Sequence, residues 1–98
     1  MLELTPNNYR KEVELSREPV LICVHDSGSK PTEGLEQLCG PKLKCCGLDA
    51  QRYEEMAKSL RVINLPSAIV LEGGTIVQRI RGERSLQDFA KILDLEQP

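Results

Sequence analysis

Val62-Ile63-Asn64-Leu65-Pro66-Ser67-Ala68-Ile69-Val70-Leu71-Glu72-Gly73-Gly74-Thr75-Ile76-Val77-Gln78-Arg79-Ile80-Arg81-Gly82 is the stretch that decides the fold. Ala68 to Leu71 is a continuous apolar run, as expected of a strand buried on both faces. Thr75 to Ile80 alternates apolar with polar residues, as an edge strand does. Glu72, Gly73 and Gly74 separate the two and predict a tight antiparallel hairpin, because glycine tolerates positive φ. Pro66, which has no amide hydrogen to give a ladder, shapes the turn into the first of these strands.

Outward from the hairpin, helices and strands alternate. On its C-terminal side, Ser85 with Asp88 resembles a capping box, and Leu86, Phe89, Ala90 and Leu93 form the apolar face of a final helix. On its N-terminal side, Asp49 can cap a helix bearing Tyr53, Met56, Ala57 and Leu60 at i, i+3, i+4 and i+7. Lys42 to Leu48 reads as a second, less apolar strand, and Val20 to Val24 as a buried central one. Between these two strands lie a polar loop, His25 to Lys30, and a short helix from about Pro31 to Leu38 that stops at Gly40-Pro41. Thr5-Pro6 opens a first helix with Tyr9, Val13 and Leu15 facing inward, ended by Pro19. Leu2 to Leu4 is a weak strand. This order predicts an α/β fold, a mixed sheet of four to five strands with helices on both faces.

Composition narrows the function. Ninety-eight residues make one domain, 1–98, with one core. A content of 40% hydrophobic and 29% charged residues, with a net charge of −2, argues against nucleic-acid binding by bulk electrostatics. Tyr9, Tyr53 and Phe89 are the three aromatic residues, so stacking platforms for bases or sugars are scarce. No apolar run approaches the roughly 18 residues of a membrane span, and Met1 to Pro6 lacks the basic and apolar regions of a leader. Cytoplasmic residence, no membrane association and reduced thiols at Cys23, Cys39, Cys45 and Cys46 are the expectations. Cys45 and Cys46 are neighbours on a strand and should point to opposite faces, one of them buried. Cys39 could meet either across the turn from Gly40 to Lys44. With no Cys-x-x-Cys, neither a metal site nor a cofactor is expected.

Leu4-Thr5 followed by Tyr9, the strand Val20 to Val24, Leu48-Asp49, Leu65-Pro66-Ser67 and Gly82 with Leu86 together resemble the thioredoxin family over nearly the whole chain. The resemblance implies the thioredoxin-like fold and a cis peptide bond before Pro66. It also implies a groove for an extended partner peptide, bordered by Asn64, Leu65, Pro66 and Ser67. Where the family carries Trp-Cys-Gly-Pro-Cys-Lys, this chain reads Gly28-Ser29-Lys30-Pro31-Thr32-Glu33. Both reactive cysteines are replaced by hydroxyl residues, and Cys23 stands where the family holds a buried Asp that assists proton transfer.

Dithiol exchange needs a thiolate of lowered pKa and a second, resolving thiol. Ser29 and Thr32 can supply neither. Ser29 as a nucleophile would need a base, and His25 with Asp26 lies too close in sequence for triad geometry. Arg61, Arg79, Arg81 and Arg84 read as charges that keep an exposed edge strand from pairing with others. The expectation is therefore a domain without catalytic residues. It binds another protein or peptide segment through Asp26 to Thr32, Asn64 to Ser67 and Gly82 to Arg84, in a chaperone, assembly or regulatory role. The alternative is a thiol-disulfide oxidoreductase using a displaced pair, Cys39 with Cys45 or Cys46. Self-association through the Thr75 to Arg81 edge is a third expectation.

Overall fold

The computed structural model describes residues 1–31 and 33–93. Its strands are β1 (Leu2–Glu3), β2 (Val20–His25), β3 (Lys44–Asp49), β4 (Ser67–Glu72) and β5 (Thr75–Arg81). They form one sheet in the order β1-β3-β2-β4-β5. The apolar run at Val20 is indeed central: β2 runs parallel to β3 and antiparallel to β4. A strand hydrogen-bonded on both sides and covered on both faces needs apolar residues at every position, and five of the six β2 residues are buried.

Strand alternation sends the side chains into two cores. One face gathers Val20, Ile22, Val24, Cys46, Leu48, Ile69 and Leu71 beneath Val13, Ala57 and Leu60. The other gathers Leu21, Cys23, Ala68, Val70 and Ile80 beneath Leu35, Leu43 and Phe89. Each large aliphatic side chain taken fully out of water contributes about 1.5–3 kcal/mol, so the sheet's interior dominates the stability.

The helical elements depart from the expected lengths, each for a local reason. The first is a five-residue π-helical turn, Arg10–Glu14, in which the Leu15 amide donates to the Arg10 carbonyl at 2.9 Å. Its ladder ends where the Ser16 amide donates to the Val13 carbonyl at 3.4 Å, and Lys44 Nζ donates to both the Glu12 carbonyl (3.1 Å) and the Glu12 carboxylate (2.5 Å). Val13 is fully buried and Tyr9 packs on the core, but Leu15 is 64% exposed, against expectation, because the wider turn rotates it outward. The second element is shorter than the helix expected from Pro31: a 3-10 turn, Leu35–Leu38, preceded by Gly34 at φ +79°, which no right-handed helix can include. Asp49 caps a turn, its Oδ1 accepting from the amides of Gln51 and Arg52 at 3.0 and 3.2 Å, and α1 (Glu54–Ser59) follows. The final helix, α2 (Leu86–Ile92), has the full capping box: Ser85 Oγ accepts from the Asp88 amide, and the Asp88 carboxylate accepts from the Ser85 amide.

The hairpin turn is two residues rather than three. Glu72 pairs with Thr75, and Gly73 and Gly74 both take positive φ, +58° and +85°.

Candidate functional site

Three segments meet at one end of the sheet because of strand register. Val24 near the end of β2 lies beside Ser67 at the start of β4, and Ser67 lies beside Arg81 at the end of β5. The loops that leave or enter at those points are therefore neighbours. The Leu65–Pro66 peptide bond is cis. The Pro66 carbonyl accepts from the Gly82 amide at 2.9 Å, which ties the loop before β4 to the one after β5. Ser67 is buried, and its hydroxyl donates to the Ile80 carbonyl at 3.4 Å. A narrow depression beneath Pro66 is lined by Pro31, Leu35, Ser67, Gly82 and Phe89, with Cys23 at its floor.

Asn64 is exposed, while Leu65 packs with Val62 against the core. Between those two anchors Ile63 is 89% exposed. Among the described residues, nothing hydrogen-bonds the backbone of Ile63, Asn64 or Leu65. Three successive residues thus offer main-chain donors and acceptors next to a bare aliphatic side chain. Ile63 was missing from the residues expected at this site. The signal lay in Val62-Ile63-Asn64-Leu65, where the apolar residues on either side are the ones that turn inward.

The loop that replaces the reactive motif is held by Asp26. Its amide donates to the Ser29 carbonyl (3.1 Å), its carbonyl accepts from the Ser29 amide (3.4 Å), and its Oδ1 accepts from the Gly28 amide (2.9 Å). Ser29 and Pro31 are half-buried and Lys30 is exposed; Thr32 lies outside the described residues. His25 does not face Ser29 as a base: its Nε2 is 3.2 Å from Glu3 Oε1. That pairing needs Gly47, since a Cβ there would meet the Glu3 carboxylate.

The cysteines divide into two kinds. Cys23 is 4% exposed and Cys46 fully buried, both as free thiols. Burial pushes them up, Cys23 to about 12 and Cys46 to about 11, so neither is a thiolate near neutrality. Cys39 and Cys45, expected as reduced thiols, are joined in a disulfide. The turn closed by the Gly40–Leu43 bridge brings their Cα atoms to 5.8 Å, inside the range a disulfide spans. Sequence left Cys45 and Cys46 open as partners. The sheet decides between them: Cys45 shares a face with the 3-10 turn, and Cys46 points into the opposite core. The disulfide does not border the depression. Cys45 is in register with Leu21, three residues and so about 10 Å along β2 from Val24. Among the described residues no three His, Cys, Asp or Glu side chains are grouped to hold a metal ion.

No family model matches the chain. It is 26% identical over 104 residues to the thioredoxin-like fold domain-containing protein MRL7L, chloroplastic, of Arabidopsis thaliana, a match that covers 93% of this chain and 30% of that protein. The chain thus spans less than a third of the length of the curated relative. Its backbone superimposes on the solution structure of the thioredoxin-like domain of Arabidopsis NCP (Nuclear Control of PEP Activity) with a TM-score of 0.79. That likeness covers 93% of this chain and 72% of the other at 24% identity. Strand order, helix placement and these two likenesses agree, and the chain has the thioredoxin-like fold.

Proposed function

We propose that this domain is a non-catalytic binding module, redox-inactive in that it catalyses no dithiol exchange, that holds an extended segment of another polypeptide across the loop Asn64, Leu65, Pro66 and Ser67 and against Ser29, Lys30, Pro31 and Thr32. The carrying observation is the run Ile63 to Leu65, with its backbone groups unspent among the described residues and Ile63 89% exposed. Main-chain pairing supplies affinity to any extended chain, and an aliphatic neighbour adds contact area. The Cys23 thiol beside the depression does not compete with this role, because it is buried and protonated at neutral pH. A chaperone, assembly or regulatory role follows from such binding, with a protein as the partner rather than nucleic acid or membrane. No helix among the described residues is long and apolar enough to cross a membrane. Cytoplasmic residence draws no support from the relative, whose printed name places it in the chloroplast.

A photo-crosslinking residue at position 63, compared with one at the exposed Glu55 on α1, tests the reading in cells of the source organism. A discrete protein adduct from position 63 and none from position 55 is expected, together with no acceleration of insulin reduction by dithiothreitol. Equal crosslinking from both positions, or an accelerated insulin reaction, overturns it.

A second reading, an oxidoreductase using the displaced pair, is favoured by one observation: Cys39 and Cys45 are bonded and half-buried. Its weakness is geometric, since the loop that would hold a substrate lies at the other end of the sheet. Cys46 cannot replace Cys45, being on the wrong face.

A further inference from the structure

Positions 26 to 43, which connect β2 to β3, contain the 3-10 turn Leu35–Leu38 as their one helical element among the described residues. Their backbone hydrogen bonds are local: Asp26 with Ser29, Gln37 to Gly34, Cys39 to Glu36, and Gly40 with Leu43. Among the described residues none reaches another part of the fold. The segment is therefore held against the sheet by side chains. Leu35 is fully buried, Leu43 is 6% exposed, Leu38 packs partly, and Cys39 is bonded to Cys45 of β3.

The turn that ends in Cys39 begins with Leu35, and Leu35 with Pro31 forms one wall of the depression beneath Pro66. Leu35 and Cys39 are one helical turn apart, the Cys39 sulfur lying 3.6 Å from the Leu35 carbonyl. Opening the bond therefore removes the covalent anchor at one end of the turn whose other end, Leu35, lines the depression and is held by packing alone. Both sulfurs of the pair belong to half-buried residues, unlike the inaccessible thiols of Cys23 and Cys46.

We propose that the Cys39–Cys45 disulfide is a reversible clasp, opened by a dithiol protein, that sets how firmly Leu35 holds its side of the depression and so regulates binding in the groove. The inference rests on the groove reading above. In the reaction a thiolate of the reductant attacks one sulfur of the pair; the Cys39–Cys45 bond breaks as a mixed disulfide forms, and the displaced sulfur leaves as a thiolate and takes a proton from water. The reductant's second thiol then displaces the mixed disulfide, leaving two protein thiols and an oxidised reductant, two electrons having passed to the pair. Once reduced, the Cys39 thiol can donate to the Leu35 carbonyl already beside it. Loss of the clasp gives the segment back its local freedom, and a binding wall that must be ordered anew costs affinity.

The test compares three forms of the full chain: oxidised, reduced with dithiothreitol, and the double variant Cys39→Ser/Cys45→Ala, which cannot form the bond. Amide hydrogen exchange in positions 26 to 43 is expected to quicken by about tenfold on reduction and in the variant, with β4 and β5 unchanged. Thiol counting without denaturant should rise from none to two on treatment with a reduced dithiol protein, since Cys23 and Cys46 stay buried in the native fold. The adduct formed from position 63 should fall about threefold to tenfold in the reduced form. Equal exchange in all three forms, or a thiol count that stays at zero until urea is added, overturns the clasp. Equal adduct in oxidised and reduced protein overturns the regulation and leaves the groove reading standing. No adduct in either form removes the groove reading, and the regulation with it.

Discussion

The hairpin β4–β5 and the segment between β2 and β3 are similar in length and opposite in how they are held. The hairpin is fastened by its backbone: β4 pairs with β2 over five residues and with β5 over six, and its turn is two glycines at positive φ. Among its described residues the segment takes no backbone hydrogen bond from the rest of the fold, and it is attached through Leu35, Leu38, Leu43 and one covalent bond. A ladder fails only when the sheet fails, whereas a side-chain attachment can be undone alone. The proposed clasp thus sits on the one of the two regions that is attached by side chains.

The contrast can be broken by substitution. Ile69→Ala, in the fully buried middle of β4, should cost about 3–4 kcal/mol, read as a lower urea midpoint with unchanged slope. A cost under 1 kcal/mol would mean that the ladder side is no better consolidated than the segment. Opening the Cys39–Cys45 bond, whose partners are six residues apart, should cost about 2 kcal/mol by loop-closure entropy. Gly74→Ala should cost about 1–2 kcal/mol, since φ is +85° there and the new Cβ would press on Glu14 at 3.2 Å. Gly40→Ala, in the turn of the segment and with nothing within 4 Å, should fall within about 0.5 kcal/mol of the parent.

The smallest effect is electrostatic and joins the two regions' neighbours. Lys44 at the start of β3 hydrogen-bonds Glu12 and holds its carboxyl below the ordinary value of 4.5. A depressed folded-state value favours the folded form above about pH 4.5, and that contribution is lost as pH falls through the folded value. Urea midpoints should therefore drop on acidification below about pH 4.5 more steeply in the parent than in Glu12→Gln. Parallel profiles would show that the pair contributes nothing. In the opposite direction, the raised Cys23 and Cys46 thiols add stability below about pH 9 that is lost as pH rises toward about 12 and 11. Cys46→Ala should flatten part of that alkaline decline.

The mixed sheet with a central buried β2 was legible because burial leaves a pattern, whereas the single core expected from length is two, one on each face of the sheet. A strand covered on both faces must read like Val20 to Val24, and a capped helix must begin like Ser85 to Asp88. The end of the sheet at which the cis Leu65–Pro66 loop meets the loop after β5 was legible through Leu65-Pro66-Ser67. Less legible were features that depend on three-dimensional registration. The choice of Cys45 over Cys46 follows from which face the 3-10 turn occupies, which no local pattern states. The exposure of Ile63 follows from Val62 and Leu65 both reaching the core. The shortened second helix follows from a left-handed Gly34, and a glycine does not announce its φ.

Cys45 and Cys46 are chain neighbours, yet Cys46 is sealed in the core opposite, and Cys23 is sealed in the other one. The molecule therefore carries a silent probe inside each half of its interior. An alkylating reagent at neutral pH can reach them only when the surrounding layer comes apart, so their labelling rates clock the opening of the two layers separately. Matching rates would mean that the domain melts as one body. A faster Cys23 would mean that the layer beneath Leu35 and Phe89 comes loose first, while the layer beneath Val13 and Ala57 is still intact.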